Sequence, residues 1–341
     1  MRKIIFILVL FPLMGLGQDI HFSQFYLAPL QLNPATAGGL ANTQASLNYK
    51  TQWSSVADAY QTYSGAFDLA ITKDKTKKKG FWGLGTFIYN DKAGDAKMGT
   101  LQANVMGTYH LNLSEKSTLG LGGMYGFVQR SMNFAPLKWE SQYVNGAYNA
   151  SNPSGEAAGG SSFIAHDVAA GLFWRYNKGD MYMTANNHVL IEAGVSAFHL
   201  VPMPHAFAGG GTMLYQKYLG HVNMSYGIKN TRLAIQPAGL LMIQGPQTEL
   251  TLGTNVRYMI QDAANFTGFV QSSSAYLGLF YRNLDAVIAT AMFEKGSYAV
   301  GVSYDINVSK LTVASAARGG FEIHFRYRNP IGYVFKPSSS F

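Results

Sequence analysis

Histidine and serine, the usual carriers of acid–base and nucleophilic chemistry, are scattered along this 341-residue chain without a catalytic spacing. The closest two of the eight histidines, His199 and His205, flank two prolines in a segment that is typical of a loop. Two imidazoles without a third ligand are a weak metal signal, and the chain has no cysteine. Gly-x-Ser-x-Gly, His-Glu-x-x-His, phosphate-loop and dinucleotide-binding motifs are absent from the sequence. We therefore expect no enzymatic activity, no catalytic residues, no metal and no cofactor.

Six acidic residues and four arginines fall mostly on the polar side of segments in which apolar and polar residues alternate. An acid–base pair is one interpretation of such groups, but a solvated wall of cross-paired charges is favoured. The residues concerned are Asp68, Asp167, Glu192, Glu249, Asp305, Glu322, Arg175, Arg257, Arg326 and Arg328.

A dense run of cations separates two of the alternating segments. It reads Lys73-Asp74-Lys75-Thr76-Lys77-Lys78-Lys79. A solvated turn explains it, and so does an electrostatic docking site for a partner or for anionic headgroups. Both interpretations stay open.

The segments between these groups alternate with a period of two, which indicates strands with one apolar and one polar face. In 320–328, for example, the apolar side carries Phe321, Ile323 and Phe325, and the polar side carries Glu322, His324 and Arg326. The segments run for about ten residues, the length that crosses a bilayer as a tilted strand. Aromatic residues and 37 glycines suit interface girdles and a closely packed barrel wall.

About fourteen such segments occur, an even number as expected for a bacterial outer-membrane barrel. They are 42–50, 59–71, 80–90, 98–111, 117–131, 164–176, 188–200, 217–228, 231–243, 248–260, 275–282, 285–293, 297–307 and 320–328. The predicted fold class is all-β, a transmembrane antiparallel β-barrel with an irregular N-terminal hatch or cap. With both termini in the periplasm, the long connection 132–163 faces outward and the lysine run faces the periplasm.

The composition supports a membrane location and argues against a nucleic-acid-binding protein. Hydrophobic residues make up 48% of the chain and charged residues only 13%, about half the proportion of ordinary soluble domains. A net charge of +8 would suggest nucleic-acid binding in a highly charged domain, but in this chain we expect none.

The N-terminus has the layout of a secretory signal peptide. Arg2 and Lys3 precede an apolar stretch from Ile4 to Met14, and Gly15 and Gly17 supply small residues for cleavage near residue 17 or 18. The expected organisation is a signal peptide at 1–18, a hatch or periplasmic segment at 19–41, the barrel at 42–328 and a tail at 329–341. The 19–41 segment does not alternate, and irregular backbone cannot face lipid.

At this segment the chain resembles a known family, PorP/SprF of the type IX secretion and gliding machinery of Bacteroidetes. The similarity lies in short blocks that occur in order over nearly the whole mature chain. They include Gln18-Asp19-Ile20-His21-Phe22-Ser23-Gln24-Phe25-Tyr26, Leu32-Asn33-Pro34-Ala35-x-Ala37-Gly38, Asn48-Tyr49-Lys50-x-Gln52-Trp53, Asn90-Asp91-Lys92-Ala93-Gly94, Ser196-x-x-His199-Leu200 and Tyr304-Asp305-Ile306-x-Val308-Ser309.

The resemblance implies a non-enzymatic outer-membrane barrel, surrounded by outer-membrane lipid, that works with periplasmic type IX secretion components. It also implies binding of an exported cargo protein through its C-terminal sorting domain, in support of secretion, surface attachment or gliding motility. Candidate partner-binding positions are Lys50, Trp53, Asn90, Asp91 and His199, together with Lys73, Lys75, Lys77, Lys78 and Lys79 of the lysine run. The rival interpretation is a channel for hydrophobic small molecules of the FadL type, which also has an N-terminal Asn-Pro-Ala hatch.

Overall fold

The computed structural model describes residues 19–53, 59–71, 79–94, 96–134, 137–155, 162–179, 181–182, 185–204, 213–262, 271–309 and 312–329. The proposed signal peptide at 1–18, most of the lysine run and the tail after Asn329 lie outside these residues. Within them, no helix is long and apolar enough to cross a membrane.

Fourteen long strands form one closed antiparallel barrel, which confirms the predicted fold class. Each strand pairs with its neighbour along the chain, and the first strand closes the barrel against the last, from Thr43 opposite Asn329 to Gln52 opposite Gly320. The barrel strands are β1 Thr43–Gln52, β2 Tyr60–Ile71, β3 Gly80–Ala93, β4 Met98–Ser114, β5 Ser117–Ser131, β8 Ser162–Lys178, β11 Val189–Phe198, β12 Lys217–Gly227, β13 Leu233–Gln244, β14 Gln247–Gln261, β15 Ser273–Arg282, β16 Ala286–Lys295, β17 Tyr298–Asn307 and β18 Arg318–Asn329.

Two small hairpins lie in the connections between barrel strands. They consist of β6 Tyr143–Val144 with β7 Ala147–Tyr148, and β9 Met181–Tyr182 with β10 Ala185–Asn186. One short α-helix, α2 Thr312–Ser315, precedes the last strand. The long connection that was predicted to face outward thus carries an exposed hairpin of its own.

Alternation along the strands separates a lipid-facing surface from a lumen. On β18, Phe321, Ile323 and Phe325 are exposed on the outside of the barrel, whereas Glu322 and His324 are buried inside it. The same division holds around the wall, and it explains why so many large apolar side chains are exposed: a lipid-facing band is apolar by necessity.

The lumen is filled by residues 19–41, here called the plug. The plug folds into a 3-10 turn at Phe25–Leu27, the short helix α1 Pro29–Leu32 and a second 3-10 turn at Pro34–Thr36. The hydrophobic core therefore lies inside the barrel. Its members are Phe25, Leu30, Leu32 and Ala37 of the plug, packed with Phe87, Met106, Met124, Ala169, Phe198, Leu219, Ala238, Leu240, Met242, Phe280, Ala286 and Ile288.

A plugged lumen and its open mouth as the candidate functional site

The plug passes through the whole lumen. Gly38 lies where β2 ends, and its amide donates a hydrogen bond of 2.9 Å to Asp68. Asp19 lies at the opposite end, 2.6 Å from Lys217 at the start of β12. We call these the terminal end, where β1 begins and β18 ends, and the loop end, where β1 ends.

Near the terminal end, the plug touches the wall where the wall has glycines. A Cβ atom on Gly83 would overlap the carbonyl oxygen of Ala37, and one on Gly122 would lie 2.6 Å from the Cα of Ala35. Contacts of this kind cannot be relieved by turning a side chain, because the plug presents backbone atoms there. Glycine in these strands is therefore required by close approach of the plug.

Hydrogen bonds within the plug and between the plug and the wall accompany this packing. Asn33 is fully buried; its Nδ2 donates to the carbonyl of Leu172 at 2.8 Å and its Oδ1 accepts from the amide of Ala35 at 2.9 Å. The Thr108 hydroxyl donates to the carbonyl of Pro34 at 2.8 Å. Because a carbonyl only accepts, the Nε2 of His110, which lies 2.8 Å from the carbonyl of Ala37, carries the proton.

The middle of the plug is held by aromatic packing. Phe25 meets Phe280 edge to face with ring centroids 6.0 Å apart, and Tyr26 stacks on the same ring at 5.3 Å. The Tyr26 hydroxyl donates to Asn255 at 3.3 Å, so the one polar atom of this group has a partner.

Towards the loop end, buried charges hold the plug instead. The amides of Ser23 and Gln24 donate to the carboxylate of Glu322 at 2.8 and 3.2 Å, and the Ser23 hydroxyl donates to Asp305 at 2.8 Å. Arg282 pairs with the same Asp305 at 2.8 Å. Of the predicted polar-face carboxylates, Glu322 and Asp68 thus accept hydrogen bonds from the plug backbone, and Asp305 accepts one from a plug side chain.

The last contact of the plug is an ion-pair cluster that we call the latch: Asp19, Asp167, His199 and Lys217. The Asp19 carboxylate lies 2.6 Å from both the His199 Nε2 and the Lys217 ammonium. His199 donates from Nδ1 and from its backbone amide to Asp167, at 3.0 and 3.1 Å. His199 has a φ of 58° and follows directly on β11, which turns its ring into the lumen.

The latch shifts the pKa values of Asp19 and His199, the two of its residues that lie outside the strands. Burial favours neutral Asp19, but Lys217 and His199 outweigh burial and hold the pKa of Asp19 well below its usual 3.8. Burial likewise opposes a charged His199, yet the two carboxylates raise its pKa to about 9. His199 is therefore an imidazolium at neutral pH with both nitrogens donating. It cannot act as a general base, and its role is electrostatic.

Above the latch, the lumen opens at the loop end into a cavity of about 670 Å³ that we call the mouth. This volume lies within the usual range of ligand pockets, about 300–1,000 Å³. The wall combines aromatic, charged and amide groups with a few apolar ones, and the N-terminal end of the plug forms part of it. The lining includes Asp19, Ile20, His21, Lys50, Gln52, Trp53, Tyr60, Tyr89, Asp91, Arg130, His199 and Gln247.

Four of the five motif positions named from the sequence line this mouth: Lys50, Trp53, Asp91 and His199. Lys50 donates to the carbonyl of His21 at 2.9 Å, and Asp91 accepts from the Thr62 hydroxyl at 2.7 Å.

The remaining motif positions lie elsewhere. Asn90 neighbours Asp91 but is exposed on the other face of β3. Lys79 lies at the terminal end, directly before β3. Lys73, Lys75, Lys77 and Lys78 lie outside the described residues, so docking by the lysine run stays a prediction.

Sequence reasoning missed Asp19 and Lys217 and did not connect Asp167 with His199. Nothing local marks them, because Asp19 and Lys217 are separated by 198 positions. The available signal was strand parity: β8 and β12 both begin at the loop end, so polar residues near their starts share one end of the lumen.

Among the described residues, no group of three or more histidine or acidic side chains is arranged to hold a metal ion.

Comparisons with solved structures return outer-membrane barrels. A FadL homologue from Pseudomonas aeruginosa shares 9% identity over 87% of this chain and 93% of its own, with a TM-score of 0.43. The TodX deltaS2S3 mutant monoaromatic hydrocarbon channel shares 9% identity over 88% and 92%, with a TM-score of 0.44. BamA from Haemophilus ducreyi lacking POTRA domains 1–3 shares 11% identity over 84% and 70%, with a TM-score of 0.39. No curated protein matches the chain.

The sequence comparison is more specific. The model of the family described as type IX secretion system membrane protein PorP/SprF matches residues 15–327, which is nearly the whole chain and includes the plug, the latch and every strand that lines the mouth. The chain belongs to the PorP/SprF family of type IX secretion system membrane proteins.

Proposed function

We propose that this barrel is a docking protein of the secretion machinery, which holds the C-terminal domain of an exported cargo protein at its mouth. The observation that carries the proposal is the convergence of Lys50, Trp53, Asp91 and His199 on one open cavity. These residues come from three separate sequence blocks, and the fold brings them to the same end of the lumen.

The plug supports docking over transport. It fills the lumen with packed apolar side chains, so a ligand that enters the mouth meets the plug at its base. The FadL-type alternative needs a route for apolar molecules past Phe25 and Leu30, both fully buried in the lumen core.

The proposed orientation places the loop end outside the cell and the terminal end in the periplasm, after removal of the leader near residue 17 or 18. Lys79 and the rest of the lysine run then face the periplasm, where they would meet type IX secretion components through electrostatic attraction. Mass measurement of the purified chain tests the cleavage site. Replacing all five lysines with glutamine should reduce recovery of periplasmic partners, and unchanged recovery would remove the docking role of the run.

Affinity purification from outer membranes tests the main proposal. Trp53 and Tyr60 form an edge-to-face pair in the mouth, with ring centroids 4.9 Å apart. Replacing both with alanine should abolish recovery of an exported protein's C-terminal domain. The matched variant removes Tyr143 and Tyr148, a pair 5.4 Å apart on the exposed hairpin of the same end.

Two outcomes would contradict the proposal. Loss of cargo in the hairpin variant alone would move the docking site from the mouth to the long loop. Loss of uptake of apolar small molecules on deletion of the protein, with cargo display intact, would favour the FadL-type channel.

A further inference from the structure

The direction in which the plug runs has a consequence for the N-terminus. The chain enters β1 from the terminal end at Thr43, and the plug reaches from there to Asp19 at the loop end. The backbone amide of Asp19 donates to Gln244 at the end of β13, 3.2 Å away, so the chain itself and not only a side chain reaches that end. Whatever precedes Asp19 in the mature protein leaves from the floor of the mouth.

We propose that the N-terminus of the mature chain is exposed at the cell surface as part of the mouth, although the adjoining strand begins on the periplasmic side. The proposal rests on the orientation given under the proposed function. It makes the mouth a composite site, whose walls are strand ends and whose floor is the processed N-terminus with Ile20 and His21.

The contacts of residues 19–21 support a fixed and not an incidental placement. Three wall contacts hold this short stretch: the latch at the Asp19 carboxylate, Gln244 at the Asp19 amide, and Lys50 at the carbonyl of His21. They come from opposite parts of the barrel, so the stretch lies across the mouth and cannot be pulled to one side without breaking one of them.

If residues 19–21 form the floor of the mouth, the leader must be cleaved before the docking site is complete. With Asp19 held at the loop end, an uncleaved leader would begin at the floor of the mouth, where cargo is proposed to enter. Removal of the leader is therefore a condition for a competent docking site, in addition to its role in export.

Single cysteines test the placement without background, because the native chain has none. Ile20→Cys probes the plug, Val144→Cys marks the exposed loop-end hairpin, and Lys229→Cys marks the exposed turn after β12 at the terminal end. Intact cells are treated with a membrane-impermeant maleimide, and then cells with a permeabilised outer membrane. A short epitope between Gln18 and Asp19 provides a second readout with an antibody.

We expect Ile20→Cys and Val144→Cys to react on intact cells, and Lys229→Cys to react only after permeabilisation. Reaction at position 20 only after permeabilisation, together with an epitope that is hidden on intact cells, overturns the inference. The reverse pattern at positions 144 and 229 overturns it as well, because the barrel would then be inverted. Cargo recovery is measured on the same cells: its absence with a surface-exposed position 20 contradicts the proposed function and leaves the placement standing.

Discussion

The two halves of the plug are held mainly by different kinds of interaction. The terminal half, Asn33 to Gly38, lies against wall glycines so closely that a single methyl group at Gly83 or Gly122 would collide with its backbone. The loop half, Asp19 to Gln24, is held by titratable groups such as Glu322 and the latch. The terminal half depends mainly on shape, with additional hydrogen bonds from Asp68 and His110, and the loop half depends mainly on charge.

The difference assigns separate tasks to the halves. Closely packed side chains and backbone leave no space for gradual movement. The terminal half therefore stays in place as long as the barrel is closed. Ion pairs strengthen and weaken with protonation, and they can be exchanged for pairs with another chain. The half that borders the mouth is thus the half that can respond to a partner, while the half at the terminal end keeps the lumen closed.

The largest effect should come from disturbing the packed half. Gly83→Ala places a methyl group onto the Ala37 carbonyl, and we expect a loss of about 3 kcal/mol in the free energy of unfolding, the upper end of overpacking costs. Thermal unfolding of the purified barrel in detergent measures it. Gly220→Ala is the matched control, because a Cβ there meets nothing within 4 Å. Equal stability of the two variants would show that the plug does not press on the wall.

A smaller loss is expected from Asn33→Ala. The substitution leaves the carbonyl of Leu172 and the amide of Ala35 without their buried partner, at a cost of roughly 1–3 kcal/mol in the free energy of unfolding. The same unfolding experiment measures it. A variant as stable as the native protein would contradict the view that this side chain anchors the terminal half.

The charged half should respond to pH without unfolding the barrel. The pKa of His199 is raised from 6.5 to about 9. Its contribution to the free energy of unfolding is therefore complete below pH 6.5 and is lost as the pH rises through about 9. The pKa of Asp19 is lowered in the folded protein. Its contribution to the free energy of unfolding is therefore present above pH 3.8 and is lost only as the pH falls towards the lowered pKa. The latch is therefore fully charged at neutral pH, and it weakens on the alkaline side as His199 loses its proton.

Labelling of Ile20→Cys measures this weakening. Its rate relative to that of Val144→Cys should rise several-fold above pH about 9. Adding His199→Gln should remove the rise. A relative rate that stays flat with pH in the native latch would contradict the assigned charges.

Much of the barrel could be predicted from the sequence, because alternation is a local property. The segments predicted at 117–131 and 98–111 were found as Ser117–Ser131 and Met98–Ser114. The poorly alternating 188–200 segment is also a strand, Val189–Phe198, in which Ala193 and Gly194 blur the pattern because neither contrasts in polarity with its neighbours.

The path of the plug could not be predicted, because its contacts join residues far apart in the chain, such as Asn33 and Leu172. Family motifs pointed to positions but not to their shared location; only strand order and register bring Lys50, Asp91 and His199 to one end. The abundance of glycine was read as a general feature of barrel walls, and the structure ties Gly83 and Gly122 to one passing chain.

The smallest expected effect is the coupling free energy between a substitution in one half of the plug and a substitution at the other. This coupling is also the most direct test of whether the two halves act separately. Asn33→Ala and Asp167→Asn alter residues that belong to different hydrogen-bond groups, one on the carbonyl of Leu172 and one on His199. If the halves are independent, their effects on the free energy of unfolding add to within about 0.5 kcal/mol. A double-mutant cycle on the purified barrel measures the difference. A larger coupling would mean that the short helix α1 between them transmits strain along the lumen. In that case a partner at the mouth would also act on the terminal end of the plug, and the division into a fixed and a responsive half would have to be given up.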